Sequence, residues 1–259
     1  MHVIMMYSES GGVSKTTTAV SVAMCAAERG MTTVLIDLDP RAAATKWVGV
    51  EPVEPGLHVG AILAAEDPTG WADDLAVPTT WHPNLAMIPS ARAVSNREAD
   101  RADHAELRLA TSLTGLSADL VVIDCPNRQG GVLTLSALNA ATAVVYAATP
   151  TQDGVDGVEG ARQTVVRFMQ SRRAIGAPVA LTEAGIVLGA LAETIISRPA
   201  RMAIDDLRAT ELLLTPLIPH RAIVPECRTA GQWYGTYTKG APVAEAYQNI
   251  TAQLTEEGR

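Results

Sequence analysis

Short apolar runs alternate along the chain with longer stretches in which Ala, Leu and Val recur at helical spacing. The runs His2–Tyr7, Thr33–Leu38, Leu85–Ile88, Leu120–Asp124, Ala143–Ala148, Ala184–Leu191 and Leu213–Ile218 predict strands. Helices are predicted between them, over roughly 15–29, 94–114, 132–141, 156–175, 199–211 and 241–255. Gly30, just past the first of these, is the glycine expected at a helix end. Strands apolar at nearly every position are covered on both faces, so the sheet should be mainly parallel and flanked by helices. No repeat, low-complexity tract or linker interrupts the pattern, which predicts a single α/β domain over 1–259. In such sheets ligands lie beyond the carboxyl ends of the strands. Chemistry is therefore sought just after Tyr7, Leu38, Ile123, Ala148 and Ile218.

Composition narrows the class. Apolar residues make up 47% of the chain and charged residues 19%, enough for a core and too little charge for disorder. Aromatics are only 4%, so the core must be aliphatic. Cys25, Cys125 and Cys227 are few and far apart, which argues against a disulfide framework, a zinc site or a cluster site. No run approaches the ~18–20 apolar residues of a membrane span, and the N-terminal ten residues lack a basic, cleavable leader pattern. The expectation is a soluble protein of a reducing compartment. The net charge of −8 counts against a generally basic nucleic-acid binder. It is uneven, however: residues 1–150 carry net −7, whereas Gly160–Ala230 carry net +3.

Three strand ends carry candidate chemistry. After the first strand, Ser8-Glu-Ser-Gly-Gly-Val-Ser-Lys-Thr-Thr opens a helix, the setting of a phosphate loop. Backbone N–H groups of a glycine-containing turn cradle an anion, and the helix N-terminus adds positive potential. Lys15 would neutralise the β- and γ-phosphates, and the Thr16 hydroxyl would ligate Mg²⁺. The strict glycine pattern is broken by Glu9 and Ser14, and a tight Gly-Gly turn with a surface lysine is the competing reading. The second strand ends in Asp37 and Asp39, two carboxylates on one face, candidates for magnesium contact and water orientation. The fourth strand in chain order ends in Asp124, which can hold magnesium opposite Thr16, usually through water. The Asn127-Arg-Gln-Gly-Gly segment that follows looks like a γ-phosphate-sensing loop.

On Gly11-Gly12-Val13-x-Lys15-Thr16-Thr17, Leu38-Asp39-Pro40, Ile123-Asp124-Cys125-Pro126 and Thr134-Leu-x-Ala-Leu, the chain resembles the ParA/MinD family of deviant Walker-type P-loop ATPases. Thr149-Pro-Thr-Gln, Val158-Glu-Gly, Leu217-Ile-Pro-His and Gly240-Ala-Pro extend the resemblance over nearly the whole length. It is closest to the short ParA-like partition and positioning proteins. The resemblance implies a P-loop fold with ATP and Mg²⁺ as ligands. Ser10, Gly11, Gly12, Val13, Ser14, Lys15, Thr16 and Thr17 would surround the phosphates. Pro219 and His220 would lie at the adenine, and Thr16, Asp37 and Asp124 at the metal. Lys15 and Asp39 would be catalytic, with Asp39 positioning the attacking water and Asp37 behind it. It further implies an ATP-dependent homodimer in the cytoplasm at the nucleoid, binding DNA nonspecifically. A ParB-like or other adaptor would stimulate slow hydrolysis, with a plasmid, phage or protein body as cargo.

Two departures matter. The family's signature lysine, which reaches the partner subunit's phosphates, is Ser10 here, as in some carboxysome-positioning members; Ser14 stands where glycine is usual. Arg128 is the candidate substitute for that trans contact, with Lys15 and Mg²⁺ sufficing unaided as the alternative. A hydrolysis-deficient, nucleotide-gated adaptor for DNA and a partner is the competing function. The C-terminal helix is acidic, not basic and amphipathic, so membrane attachment is not expected. For DNA, Arg198, Arg201 and Arg208 fall within about 80° of one another on a helix, possible companions being Arg221 and Arg228. Asp205 shares that face, so a self-neutralising salt-bridge ladder is the competing reading.

Overall fold

The computed structural model describes residues 1–192 and 194–256. Its centre is a seven-stranded sheet of β1 (His2–Tyr7), β2 (Thr33–Asp37), β3 (Val77–Pro78), β4 (Leu85–Ile88), β5 (Leu120–Asp124), β6 (Ala143–Ala148) and β7 (Thr182–Leu188). The order is β3-β4-β2-β5-β1-β6-β7, parallel except for the short edge strand β3. Every residue of β2, β5 and β6 is buried, which is why these strands read as unbroken apolar runs.

Alternate residues divide between two cores. Ile4, Met6, Leu35 and Val122 face α1 (Lys15–Glu28), α2 (Ala43–Val48) and α10 (Ala241–Glu256). Val3, Met5, Ile36 and Ile123 face the other layer. That layer contains α3 (Val59–Ile62), α4 (Trp71–Leu75), α5 (Arg108–Ser112), α6 (Val132–Ala140), α7 (Gln152–Ala174) and α8 (Arg198–Arg208). A further helix, α9 (Ile223–Ala230), joins the first layer through buried Cys227. At the end of α1, Gly30 N–H donates to Ala27 O at 2.9 Å and Met31 N–H to Ala26 O at 3.1 Å. With Gly30 at φ 87°, this is the expected glycine cap.

Two predicted elements change. The helix over 94–114 breaks into 3₁₀ segments, Arg92–Ala99 and Ala105–Leu107, before α5. Asp100 Oδ1 accepts from Ala102 N–H at 2.9 Å, while its other oxygen takes Arg108 at 2.9 Å; this side-chain turn competes with the helix ladder. The run 213–218 forms only isolated bridges, Ile186 with Leu213 and Leu191 with Pro219. Pro216 has no N–H to extend them into a ladder. The segment still bonds to β7 at both ends and delivers Ile218 and Pro219 to the sheet's carboxyl edge.

Candidate nucleotide site

The loop from β1 to α1 turns at Gly12 (φ 76°) and Ser14 (φ 64°). Glycine takes this left-handed conformation freely; for Ser14 it costs on the order of 1 kcal/mol. The strained turn buries Val13, starts α1 at Lys15 and leaves the helix N-terminus without a side-chain cap. The first N–H groups of α1 are thus available to an anion. A cavity of about 340 Å³ opens beside them, walled by Gly11 to Thr17, Asp39, Arg41, Asn127 and Arg228. Lys15 is buried there, with 8% of its surface exposed, and Asp39 with 7%. A second, more apolar cavity of about 150 Å³ adjoins it, with Pro219, His220 and Tyr247 on its wall. The two share Ser14, Thr17 and Arg228 on their walls, the first more charged and the second more apolar.

Asp37 and Asp124 face each other in register across β2 and β5, both fully buried. Asp37 Oδ1 accepts from Asp39 N–H at 3.1 Å; its Oδ2 accepts from Thr45 N–H at 2.9 Å and the Thr45 hydroxyl at 2.8 Å. Thr45 Oγ1 in turn accepts from Ser90 N–H, and the Ser90 hydroxyl donates to Asp39 O, both at 2.8 Å. This brace fixes the loop that carries Asp39, whose Oδ1 receives Arg41 N–H at 2.9 Å. Asp37, expected among the metal groups behind Asp39, thus has one oxygen bonded to Asp39 and the other to Thr45.

Both Asp124 oxygens are buried with no hydrogen-bond partner of good geometry among the described residues. Burial pushes its pKa up, opposed by the Lys15 charge, the Thr16 hydroxyl and the Arg228 charge. Burial, then the Asp124 charge, push Asp37 up against the donors that hold it. A buried polar group left unsatisfied costs about 1–3 kcal/mol, and a charged carboxylate more. A hydroxyl and a carboxylate are the hard oxygen donors that Mg²⁺ takes when phosphate oxygens complete its shell, so Thr16 and Asp124 fit that ion.

The side chain of Ser10 turns away from the phosphate cavity. Its hydroxyl donates to Asp153 O at 2.7 Å, and Glu9 N–H donates to Gly157 O at 3.2 Å. Gly157 permits this: a Cβ there would stand 2.6 Å from Ser10 Cβ. Arg128, the candidate trans cation, lies 3.4 Å from Glu98 and is half-exposed. Its carbonyl accepts from the Tyr7 hydroxyl at 3.0 Å, tying the loop after β5 to β1.

Of the arginines assigned to DNA, Arg198, Arg201 and Arg208 are exposed on α8. Arg208 pairs with Asp205 at 3.2 Å, one rung of the competing ladder. Arg221 lies on the wall of the apolar cavity and Arg228 on the walls of both cavities. Sequence reading missed the Thr45–Ser90 brace and the helix α9 that carries Arg228. The glycine spacing of α7, Gly154-x-x-Gly157-x-x-Gly160, was the visible sign of a backbone approaching closely.

Strand order, loop and acidic strand ends define a nucleotide-binding α/β protein, and comparison with known proteins agrees. The AAA domain profile matches residues 1–175, and the chain belongs to the ParA/MinD family of P-loop ATPases. The sporulation initiation inhibitor protein Soj of Bacillus subtilis is 33% identical over 176 residues, covering 65% of this chain and 66% of Soj. The chromosome partitioning protein ParA of Caulobacter vibrioides is 26% identical over 100% of this chain and 96% of its own. The chain thus spans about two thirds or less of the first relatives it matches, and nearly all of others. Among solved structures, cobyrinic acid a,c-diamide synthase of Mycobacterium smegmatis with a bound ATP analogue and magnesium superposes with TM-score 0.79. Identity is 26%, covering 100% of this chain and 96% of that one. Apo McdA of Cyanothece shares the fold at TM-score 0.81 and 22% identity, over 98% and 99% of the two chains. Among the described residues no helix is long and apolar enough to cross a membrane.

Proposed function

We propose that the chain is a Mg²⁺-dependent ATPase of the partition or positioning type, switching between nucleotide states to move a plasmid, phage or protein cargo. The observation that carries this is the Asp124 carboxylate, buried without a partner behind Thr16 and Lys15. Lys15 and the open N-terminus of α1 hold the phosphates, and the apolar cavity at Pro219 and His220 receives the base. Thr16 and Asp124 hold the magnesium ion, which would neutralise charge on the terminal phosphates. Asp39, kept in place by Asp37, orients the attacking water and takes its proton. The names of the relatives support the cargo class: chromosome and plasmid partition, and the McdA structures.

Dimerisation on ATP, nonspecific DNA binding at the nucleoid through Arg198, Arg201 and Arg208, and stimulation by a ParB-like adaptor complete the cycle. A dimer presents two such stripes, and counterion release makes its DNA affinity fall steeply with salt. One observation favours the second reading, a nucleotide-gated adaptor without turnover. Ser10 is bonded to α7 and offers no cation to a partner subunit.

Phosphate release with DNA and partner present separates the two. The ATPase reading expects turnover in wild type, at least ~100-fold weaker nucleotide binding in Lys15→Ala, and tight ATP binding with far slower turnover in Asp39→Ala. Equal turnover in wild type and Asp39→Ala overturns the role of Asp39, and none in wild type leaves the adaptor.

A further inference from the structure

The position where the family's lysine would stand carries no cation in this chain, yet the phosphate cavity is not poor in positive charge. Two arginines line it besides Lys15: Arg41 from the loop after β2, and Arg228 from the last turn of α9. Both are exposed, and no ion pair or hydrogen bond of either guanidinium occurs among the described residues. Arg228 nevertheless acts on the buried Asp124, lowering its pKa after Lys15 and Thr16 have done so. Its helix is firmly seated. Cys227 beside it is buried, the Cys227 carbonyl accepts from Gln232 N–H at 2.9 Å, and the Gln232 carbonyl accepts from the buried Trp47 indole at 2.9 Å.

The places of the two arginines differ. Arg228 belongs to both cavities, at the junction also lined by Ser14 and Thr17, whereas Arg41 lines the charged cavity beside Asp39 and has no part in the apolar one. A nucleotide lying with its base against Pro219 and its phosphates against Lys15 crosses that junction with its ribose and first phosphate. Its terminal phosphate ends toward Asp39. A guanidinium fork binds phosphate oxygens through two parallel hydrogen bonds, a geometry lysine cannot match.

From this placement, and resting on the nucleotide reading above, we infer that Arg228 and Arg41 supply within one subunit the positive charge that Ser10 does not. Arg228 grips the α-phosphate end of ATP and ADP alike; Arg41 grips the terminal phosphate that only ATP has. Arg228 is then a nucleotide-binding residue and no part of the DNA surface.

Equilibrium binding of ATP and of ADP, each with and without Mg²⁺, tests this in wild type, Arg228→Ala, Arg228→Lys and Arg41→Ala. Arg228→Ala should weaken ATP and ADP by the same factor, about tenfold or more, with Arg228→Lys recovering only part. Arg41→Ala should weaken ATP about tenfold and leave ADP within about twofold. Unliganded Arg41→Ala should melt with wild type, and unliganded Arg228→Ala close to it, since the only interaction of that guanidinium among the described residues is its charge attraction to Asp124. Wild-type affinity for both nucleotides in Arg228→Ala overturns its role, and equal losses of ATP and ADP in Arg41→Ala overturn that of Arg41. Unchanged nucleotide affinity with weakened DNA binding in Arg228→Ala returns that residue to the DNA surface and overturns the inference. If wild type binds neither nucleotide, the reading of the site falls and this inference with it; wild-type binding with unaffected variants removes the inference alone.

Discussion

Asp37 and Asp124 occupy adjacent strand ends in the same register row, equally buried, and differ in what surrounds their oxygens. Asp37 accepts from three donors on Asp39 and Thr45; Asp124 accepts from none of good geometry. A buried carboxylate whose lone pairs are filled by its own chain belongs to the fold. One left without donors of good geometry at the same depth is costly to keep charged, and only the Lys15 charge, the Thr16 hydroxyl and the Arg228 charge oppose that cost. The row thus separates into a brace for the Asp39 loop and a carboxylate that, on the function proposed above, seats a cation.

Removing the brace should have the largest effect. Asp37→Ala strands three buried donors and should destabilise the unliganded protein by about 3–5 kcal/mol in chemical denaturation. A loss under about 1 kcal/mol would mean that Asp37 holds nothing. Asp124→Asn should act with the opposite sign, raising unliganded stability by about 1–3 kcal/mol, because burial costs this charge more than Lys15, Thr16 and Arg228 return to it. Thr45→Val removes one of the donors to Asp37 and the acceptor for Ser90 N–H, and should cost about 1–2 kcal/mol. A cost equal to that of Asp37→Ala would place the whole brace on the threonine.

The response to pH tests the same pair without a substitution. Both carboxyl groups have folded-state pKa values raised by burial. The folded protein therefore holds more protons than the unfolded chain from about pH 4, the unfolded value, up to the raised folded values. Unliganded stability should fall as pH rises through that window and level off above it. Asp124→Asn should flatten the slope; a wild type that gains stability over the same window would contradict the assignment.

The strands β1, β4, β5 and β6 match their sequence-predicted bounds residue for residue, because burial on both faces writes itself as a continuous apolar run. Where side chains overrule the backbone, pattern fails: the Asx turn at Asp100 breaks an otherwise helical stretch, and Pro216 interrupts the last apolar run. The candidate site divides in the same way. Lys15, Thr16, Asp39 and Asp124, each at a strand end or helix start, were legible from local order, as were Pro219 and His220 through the family pattern. The duty of Asp37 was not, since it depends on Thr45 and, through it, on Ser90, 45 residues further along the chain. Nor was the position of Arg228, because α9 is only eight residues long and carries Pro225 near its start. The sequence offered that arginine as a loop companion of the α8 stripe, while the fold places it on α9, on the wall of both cavities.

The most direct test of the cation seat compares thermal stabilisation by ATP in the presence and absence of Mg²⁺, in wild type and Asp124→Asn. A group that binds only the folded state stabilises it in proportion to the logarithm of its occupancy. Wild type should gain a clear further increment when Mg²⁺ joins ATP, and Asp124→Asn, starting from a higher unliganded melting temperature, should gain little or none. An equal Mg²⁺ increment in both proteins would contradict the account, since the buried carboxylate would then have no cation to hold.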